Sequence, residues 1–132
     1  MFTFLLIGSL SKRHDIRTFI DKLGVLRHER GERYIAHAPA GMQDGWIAIQ
    51  QVADAEADFD AEELDLVKQS IADPCFFLIE GRNGEVNFSD RFILGLDCGG
   101  ELLVDNDHGL IENVKGVQGR IRSGTNWLDA SH

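Results

Sequence analysis

The sequence predicts an α+β fold in which two helices cover one face of an antiparallel sheet, as in ferredoxin-like domains. Three observations carry this prediction. Apolar strand patterns alternate with two helical patterns over residues 3–80, both prolines stand at boundaries between elements, and the order of elements is strand, helix, strand, strand, helix, strand. This order is the split βαβ plan of ferredoxin-like folds.

The first half of the chain contains the elements of this plan. Residues 3–8 are apolar and predict a central strand. Apolar residues at the i, i+3, i+4, i+7 spacing then predict a helix over 16–23, and Gly24 is placed to end it. Residues 25–37 indicate either a long strand or a short hairpin, and the alternation over 46–52 predicts a further strand.

The second helix has the clearest start signal. Asp60 stands at the position of an amino-terminal cap, and Glu63 follows three residues later, which is the spacing of a capping box. Pro74 ends the helix because it cannot continue the hydrogen-bond pattern. The apolar residues 75–80 then predict a fully buried strand.

The remaining residues predict a carboxyl-terminal extension of strands. Residues 91–96 and 101–104 flank a Gly-Gly pair and favour a hairpin, with a helix over 89–96 as the alternative. Residues 110–111 and 114–121 together predict one more strand. We therefore expect an extension over 85–122.

The length and composition fit one domain over residues 1–132. The chain is 43% hydrophobic and 27% charged, as globular proteins are. We expect its core over 3–80 and a loose tail over 123–132. A domain of this size can fold without a disulfide, a metal or another cofactor, and none is predicted.

Charge and targeting signals exclude several classes of protein. A net charge of −9 argues against a nucleic-acid binder, because the phosphate backbone would repel it. No apolar run approaches the roughly 20 residues that cross a bilayer, and the apolar start of the chain lacks the features of a signal peptide. Cys75 and Cys98 are then expected to be reduced thiols in a cytoplasmic protein.

One stretch concentrates the negative charge. Residues 53–65 hold seven acids and no base. The positive end of the helix dipole accounts for the acids from Asp60 onward. It does not account for Asp54, Glu56 and Asp58, which repel one another unless a cation neutralises them.

The first functional hypothesis is a small module that binds a basic protein. A toxin-neutralising immunity protein has this profile, since it is compact, strongly acidic and without a catalytic set. Complementary charge would speed the encounter, and an aromatic anchor would hold the complex. The residues predicted to contact the partner are Asp54, Glu56, Asp58, Glu62 and Trp46.

Two other hypotheses stay open, and they leave the question of an enzyme undecided. Asp105, Asp107 and His108 form a polar cluster that suits a ligand or metal site or an ordinary turn. A self-associating module is the third hypothesis. It rests on Phe76 and Phe77, which point to opposite faces of a strand, so that one of them would be free for a homodimer interface if a sheet face were uncovered.

Overall fold

The computed structural model describes residues 1–10, 15–97 and 102–131. Within these ranges the chain is an α+β fold with one seven-stranded antiparallel sheet and three α-helices. The strands are β1 (Phe2–Ser9), β2 (Val25–Glu29), β3 (Arg33–His37), β4 (Gly45–Val52), β5 (Pro74–Asn83), β6 (Leu103–Asp105) and β7 (Ile111–Asn113). The helices are α1 (Ala61–Ser70), α2 (Phe88–Leu94) and α3 (Val114–Arg122).

The strand order confirms the α+β class but not the ferredoxin-like topology. The sheet runs β2-β3-β4-β5-β1-β6-β7, with β5 between β4 and β1. A split βαβ unit has one strand between the two strands that its helix joins. Here β3, β4 and β5 all separate β1 from β2, because β2 to β5 form a continuous antiparallel meander whose last strand pairs with β1.

Alternating residues of the strands divide the sheet into two faces. Phe4 and Leu6 of β1 join a core cluster with residues of α2 and α3, and we call this side the closed face. Ile7 joins a second cluster with Phe76 and with Val67 of α1. We call that side the open face. In the described part of the chain, α1 is the α-helix that packs on it, and α1 covers only the end of the face that contains Ile7 and Phe76.

The two predicted helices do not share a face. The segment expected as a helix over 16–23 is a 3-10 helix, Ile16–Phe19, followed by turns, and Ile16 packs on the closed face. α1 lies on the open face instead. Most of the cover on the closed face comes from α2 and α3, which belong to the part of the chain that the sequence predicts as strands.

Two predicted strands are helices. Residues 88–94 form α2, with Asn87 as its amino-terminal cap, and not the first strand of a hairpin. The alternative prediction of a helix over 89–96 is therefore the correct one. Residues 114–122 form α3, capped by Asn113, which accepts the Gly116 N–H at 2.7 Å. Apolar residues of α3 recur every third or fourth position and are buried on the closed face, which outweighs the low helix propensity of its glycines. Cys98 and the Gly-Gly pair lie outside the described residues.

Several predictions are confirmed. Residues 25–37 form the β2–β3 hairpin, with Gly31 and Glu32 at positive φ in the turn. The capping box of α1 is present, since Asp60 accepts the Glu63 N–H at 2.8 Å and Glu63 accepts the Asp60 N–H at 3.3 Å. Cys75 is a buried residue of β5. Apart from these predictions, no helix in the described part of the chain is long and apolar enough for a membrane span.

The carboxyl-terminal segment is packed rather than loose around Trp127. This side chain is 1% exposed, meets Phe4 edge-on at 5.0 Å between ring centroids, and donates to Asp90 at 2.8 Å. The fully buried side chain of Asn106, which follows β6, donates to the carbonyls of Trp127 and Ala130, each at 2.7 Å. The end of the chain therefore contributes to the closed-face core.

Candidate functional site

The acids at 54, 56 and 58 lie on a short helix of the open face. We call this helix, Ala55–Asp58, together with Asp54 before it, the acidic ridge. It is a 3-10 helix that Ala55, 6% exposed, anchors to the second core cluster. With three residues per turn, side chains two positions apart point about 120° away from each other. The like charges therefore diverge, whereas a continued strand would have aligned them.

Most of the acids have no cationic partner in the described part of the chain. Lys68 of α1 approaches Glu56 with its Nζ at 3.9 Å, and both side chains are about half exposed, so this pair contributes little. Among the described residues, Asp54, Asp58 and Glu62 form no ion pair. All three are exposed, so their charges face solvent.

A groove lies between the acidic ridge and the open face of the sheet. It has a volume of about 410 Å³ and is lined by Thr3, Phe4, Leu5, Asp58, Phe59, Leu78, Asp105 and Asp107. Its half-buried apolar residues are Leu5, Phe59 and Leu78. Its three carboxylates come from two separate segments, one at the end of the acidic ridge and the other at the end of β6. A second cavity of about 340 Å³ includes Asp54 and Glu56 in its lining, so ridge acids line both cavities.

Asp105 is the buried carboxylate of the groove. It ends β6, opposite Leu5 of β1, and is 8% exposed. Burial raises the pKa of Asp105, and the charges of Glu63 and Asp107 raise it further, although its Oδ1 accepts the Asp107 N–H at 2.9 Å. The groove therefore contains a carboxylate that a cation would stabilise in its charged form.

The structure divides the predicted Asp105, Asp107 and His108 cluster. Both aspartates line the groove, but His108 is exposed and lies 3.9 Å from Asp129, Nε2 to Oδ1. Its backbone N–H donates to the side chain of buried Asn106 at 2.9 Å, which holds the turn. The groove thus joins Asp105 and Asp107 with Asp58 of the first hypothesis, and His108 stands apart.

Among the residues that the structure describes, no group of three His, Cys, Asp or Glu side chains is placed to hold a metal ion. Burial raises the pKa of the Cys75 thiol, which disfavours the thiolate that a nucleophile requires.

Trp46 lies on the open face but away from the acidic ridge. In the sheet register it stands between His37 of β3 and Arg82 of β5, at the start of β4, whereas the ridge follows the end of that strand. Trp46 and His37 are half-buried, and Arg82 is exposed. The predicted contact residues therefore form two separate sets, and Trp46 lies beside the arginine Arg82 rather than beside the acids.

Sequence reasoning missed the apolar part of the groove. Leu5 and Leu78 are directly opposite each other in the β1–β5 register, and Phe59 follows the ridge. The signal that could have found them is the alternation within residues 3–8 and 75–80, because every second residue there must face away from the main core. Phe76 and Phe77 are 4% and 1% exposed, so neither is the uncovered aromatic that the sequence suggested.

The chain has no recognised relatives in three comparisons. No protein-family model matches it, no curated protein matches it, and no solved structure matches it.

Proposed function

We propose that the chain is a small acidic protein-binding module that receives a cationic segment of a basic protein. The surface concerned, which we call the acidic end, consists of the acidic ridge, the groove and Glu62. The observation that carries the proposal is the groove, where three carboxylates from two segments of the chain surround apolar side chains.

Charge supports a cationic partner. The acids of the ridge and groove concentrate negative potential at one place on the surface, and this potential attracts a partner with Lys or Arg side chains. Asp105 adds to this effect because its carboxylate is buried, so that its pairing with a cation takes place where water screens poorly.

The apolar side chains of the groove support a polypeptide rather than a simple ion. Leu5, Phe59 and Leu78 can bury an apolar side chain of the partner while the surrounding carboxylates pair with its neighbours. The volume of about 410 Å³ falls in the range of roughly 300–1,000 Å³ that is typical of ligand pockets. A segment that mixes Lys or Arg with Leu or Phe fits both features.

An immunity-type protein that neutralises a basic toxin is the biological role that this chemistry suits best. The toxin would present a cationic surface, as nucleases do for their phosphate backbone substrate. Steering by opposite charge would make the association fast and dependent on salt. We propose a cytoplasmic location, where such a toxin would act.

The test uses the full chain and a defined probe, an extended peptide of alternating Lys and Leu. Its binding is followed by fluorescence anisotropy at about 50 mM and about 300 mM NaCl, where the Debye length falls from about 14 Å to about 6 Å. The test variant carries Asp54→Asn, Glu56→Gln, Asp58→Asn and Glu62→Gln. We expect Kd to rise by about tenfold or more at low salt and the salt dependence to weaken.

The control removes the same charge from exposed positions elsewhere. It carries Asp15→Asn, Asp21→Asn, Glu32→Gln and Glu85→Gln, which lie outside the acidic end. Retention of wild-type affinity by the control, together with loss in the test variant, supports the acidic end as the binding surface. Equal losses in the two variants would mean that only net charge matters, and unchanged binding in the test variant would overturn the proposal.

A further inference from the structure

The open face of the sheet has opposite charges at its two ends. One end is the acidic end. The other, which we call the cationic end, consists of Arg27, His37, Trp46 and Arg82. Among the residues that the structure describes, no carboxylate forms an ion pair with Arg27 or Arg82, and both side chains are exposed.

The middle of the face carries charges that are largely paired. Arg33 of β3 pairs with Glu29 of the neighbouring strand and reaches Glu80 of β5 at 2.9 Å, so one arginine is shared by two carboxylates and the middle keeps one net negative charge. The pair with Glu80 crosses β4 near Ala48, which is 1% exposed. Ile35 beside it is 2% exposed. Both apolar residues are thus already covered, and a surface that approaches the middle meets charged groups such as Arg33 rather than exposed apolar side chains.

From this pattern we infer that the open face docks against the open face of a second copy of this chain. A two-fold axis in the plane of the interface, between the two ends, brings the acidic end of each copy onto the cationic end of the other. Both contacts are then attractive, and the middles, each with one net negative charge, meet at the axis. A parallel arrangement would oppose like charges and is disfavoured.

The size of the face predicts a weak dimer. Five strands spaced about 4.8 Å apart, over about six residues at about 3.3 Å each, present roughly 500 Å² of projected area. A stable interface buries about 800 Å² on each partner. Docking of the acidic ridge over the cationic end adds area, and we expect a monomer–dimer equilibrium in the micromolar range.

The inference is tested by two variants, each of which reverses the charge of one end. One variant carries Arg27→Glu with Arg82→Glu, so that both of its ends are acidic. The other carries Asp54→Lys, Glu56→Lys, Asp58→Lys and Glu62→Lys, so that its four lysines outweigh the remaining Asp105 and Asp107 and both ends are basic. Sedimentation velocity of the wild type over a range of concentrations should show a dimer that about 500 mM NaCl dissociates, and each variant alone should be monomeric.

The mixture of the two variants provides the decisive measurement. Opposite charges meet at both contacts in the mixed pair, so the mixture should restore a dimer of wild-type affinity within about threefold. Arg91→Glu with Arg122→Glu is the matched control, because these exposed arginines lie on α2 and α3 and their reversal should leave the dimer intact.

Three outcomes would overturn the inference. They are a wild type that is monomeric at every concentration, a mixture that does not associate, and assemblies larger than a dimer that grow with concentration. Circular dichroism of each variant confirms that it is folded. The experiment needs no peptide and no basic partner, so its failure leaves the proposed function standing, and failure of the peptide experiment leaves the dimer standing.

Discussion

The closed and open faces are built from alternating residues of the same strands, yet their side chains are buried to different degrees. On β1, Phe4 and Leu6 are completely buried on the closed face, whereas Thr3 is exposed and Leu5 is half-buried on the open face. The closed face meets α2, α3 and Trp127. The helices and the tryptophan that cover the closed face thus come from the second half of the chain, whereas the open face keeps exposed and half-buried side chains that a partner can contact.

The two tryptophans give the largest expected difference between the faces. Trp127→Ala leaves a cavity in the closed-face core and should lower the free energy of unfolding by about 3–5 kcal/mol. Trp46→Ala removes a half-buried side chain from the open face and should cost about 1 kcal/mol. Urea denaturation of both variants measures the difference. Equal losses would break the distinction between the faces.

Removing the capping box of α1 tests whether this helix on the open face is stabilised independently of α2 and α3. Asp60→Ala leaves the Glu63 N–H without its acceptor and should lower the free energy of unfolding by about 1 kcal/mol. Glu62→Ala, one position inside α1, is the control and should change it by less than about 0.5 kcal/mol. Hydrogen exchange should show the loss of protection concentrated in α1. Loss spread evenly over α2 and α3 would contradict a locally stabilised helix.

Replacing Asp105, the buried carboxylate of the groove, should give the smallest change in stability and the one that depends most on pH. Because the pKa of Asp105 is raised in the folded protein, its ionised form destabilises the fold at neutral pH. This penalty disappears as pH falls through the raised pKa towards the ordinary value. Asp105→Asn keeps the acceptor for the Asp107 N–H, so it should raise Tm at pH 7.

Thermal unfolding across pH checks this expectation. The difference in Tm between Asp105→Asn and the wild type should be largest near neutrality and should shrink in acid. Glu85→Gln, an exposed control remote from the groove, should follow the wild type at every pH. A difference in Tm that is constant with pH would show that the groove does not penalise the charge.

Local signals in the sequence predicted the elements better than their arrangement. The capping box at Asp60 and the alternation of β4 depend on neighbouring residues, and both are confirmed. The strand order depends on which edges pair over long separations, and β1 pairs with β5 rather than with a strand nearer in sequence. Nothing in the local pattern of residues 3–8 distinguishes these partners.

The helices of the second half were missed for a physical reason. α3 contains Gly116 and Gly119, which lower its helix propensity, and its apolar residues are few. Tertiary burial of Val114 and Val117 supplies the stability that propensity lacks. The groove was only partly foreseen for the same reason, since Asp58 and Asp105 are brought together by the sheet and not by their spacing in the sequence.

The side chain of Asn106 has a consequence for the groove. It fastens the turn that bears Asp107 to the backbone of residues 127–130, by donating to two carbonyls there while accepting N–H groups of the turn itself. Contacts with the backbone of residues 127–130 therefore hold the Asp107 carboxylate in position at the edge of the groove. A peptide or label attached near residue 130 would disturb recognition at a distance, even though it touches none of the acids.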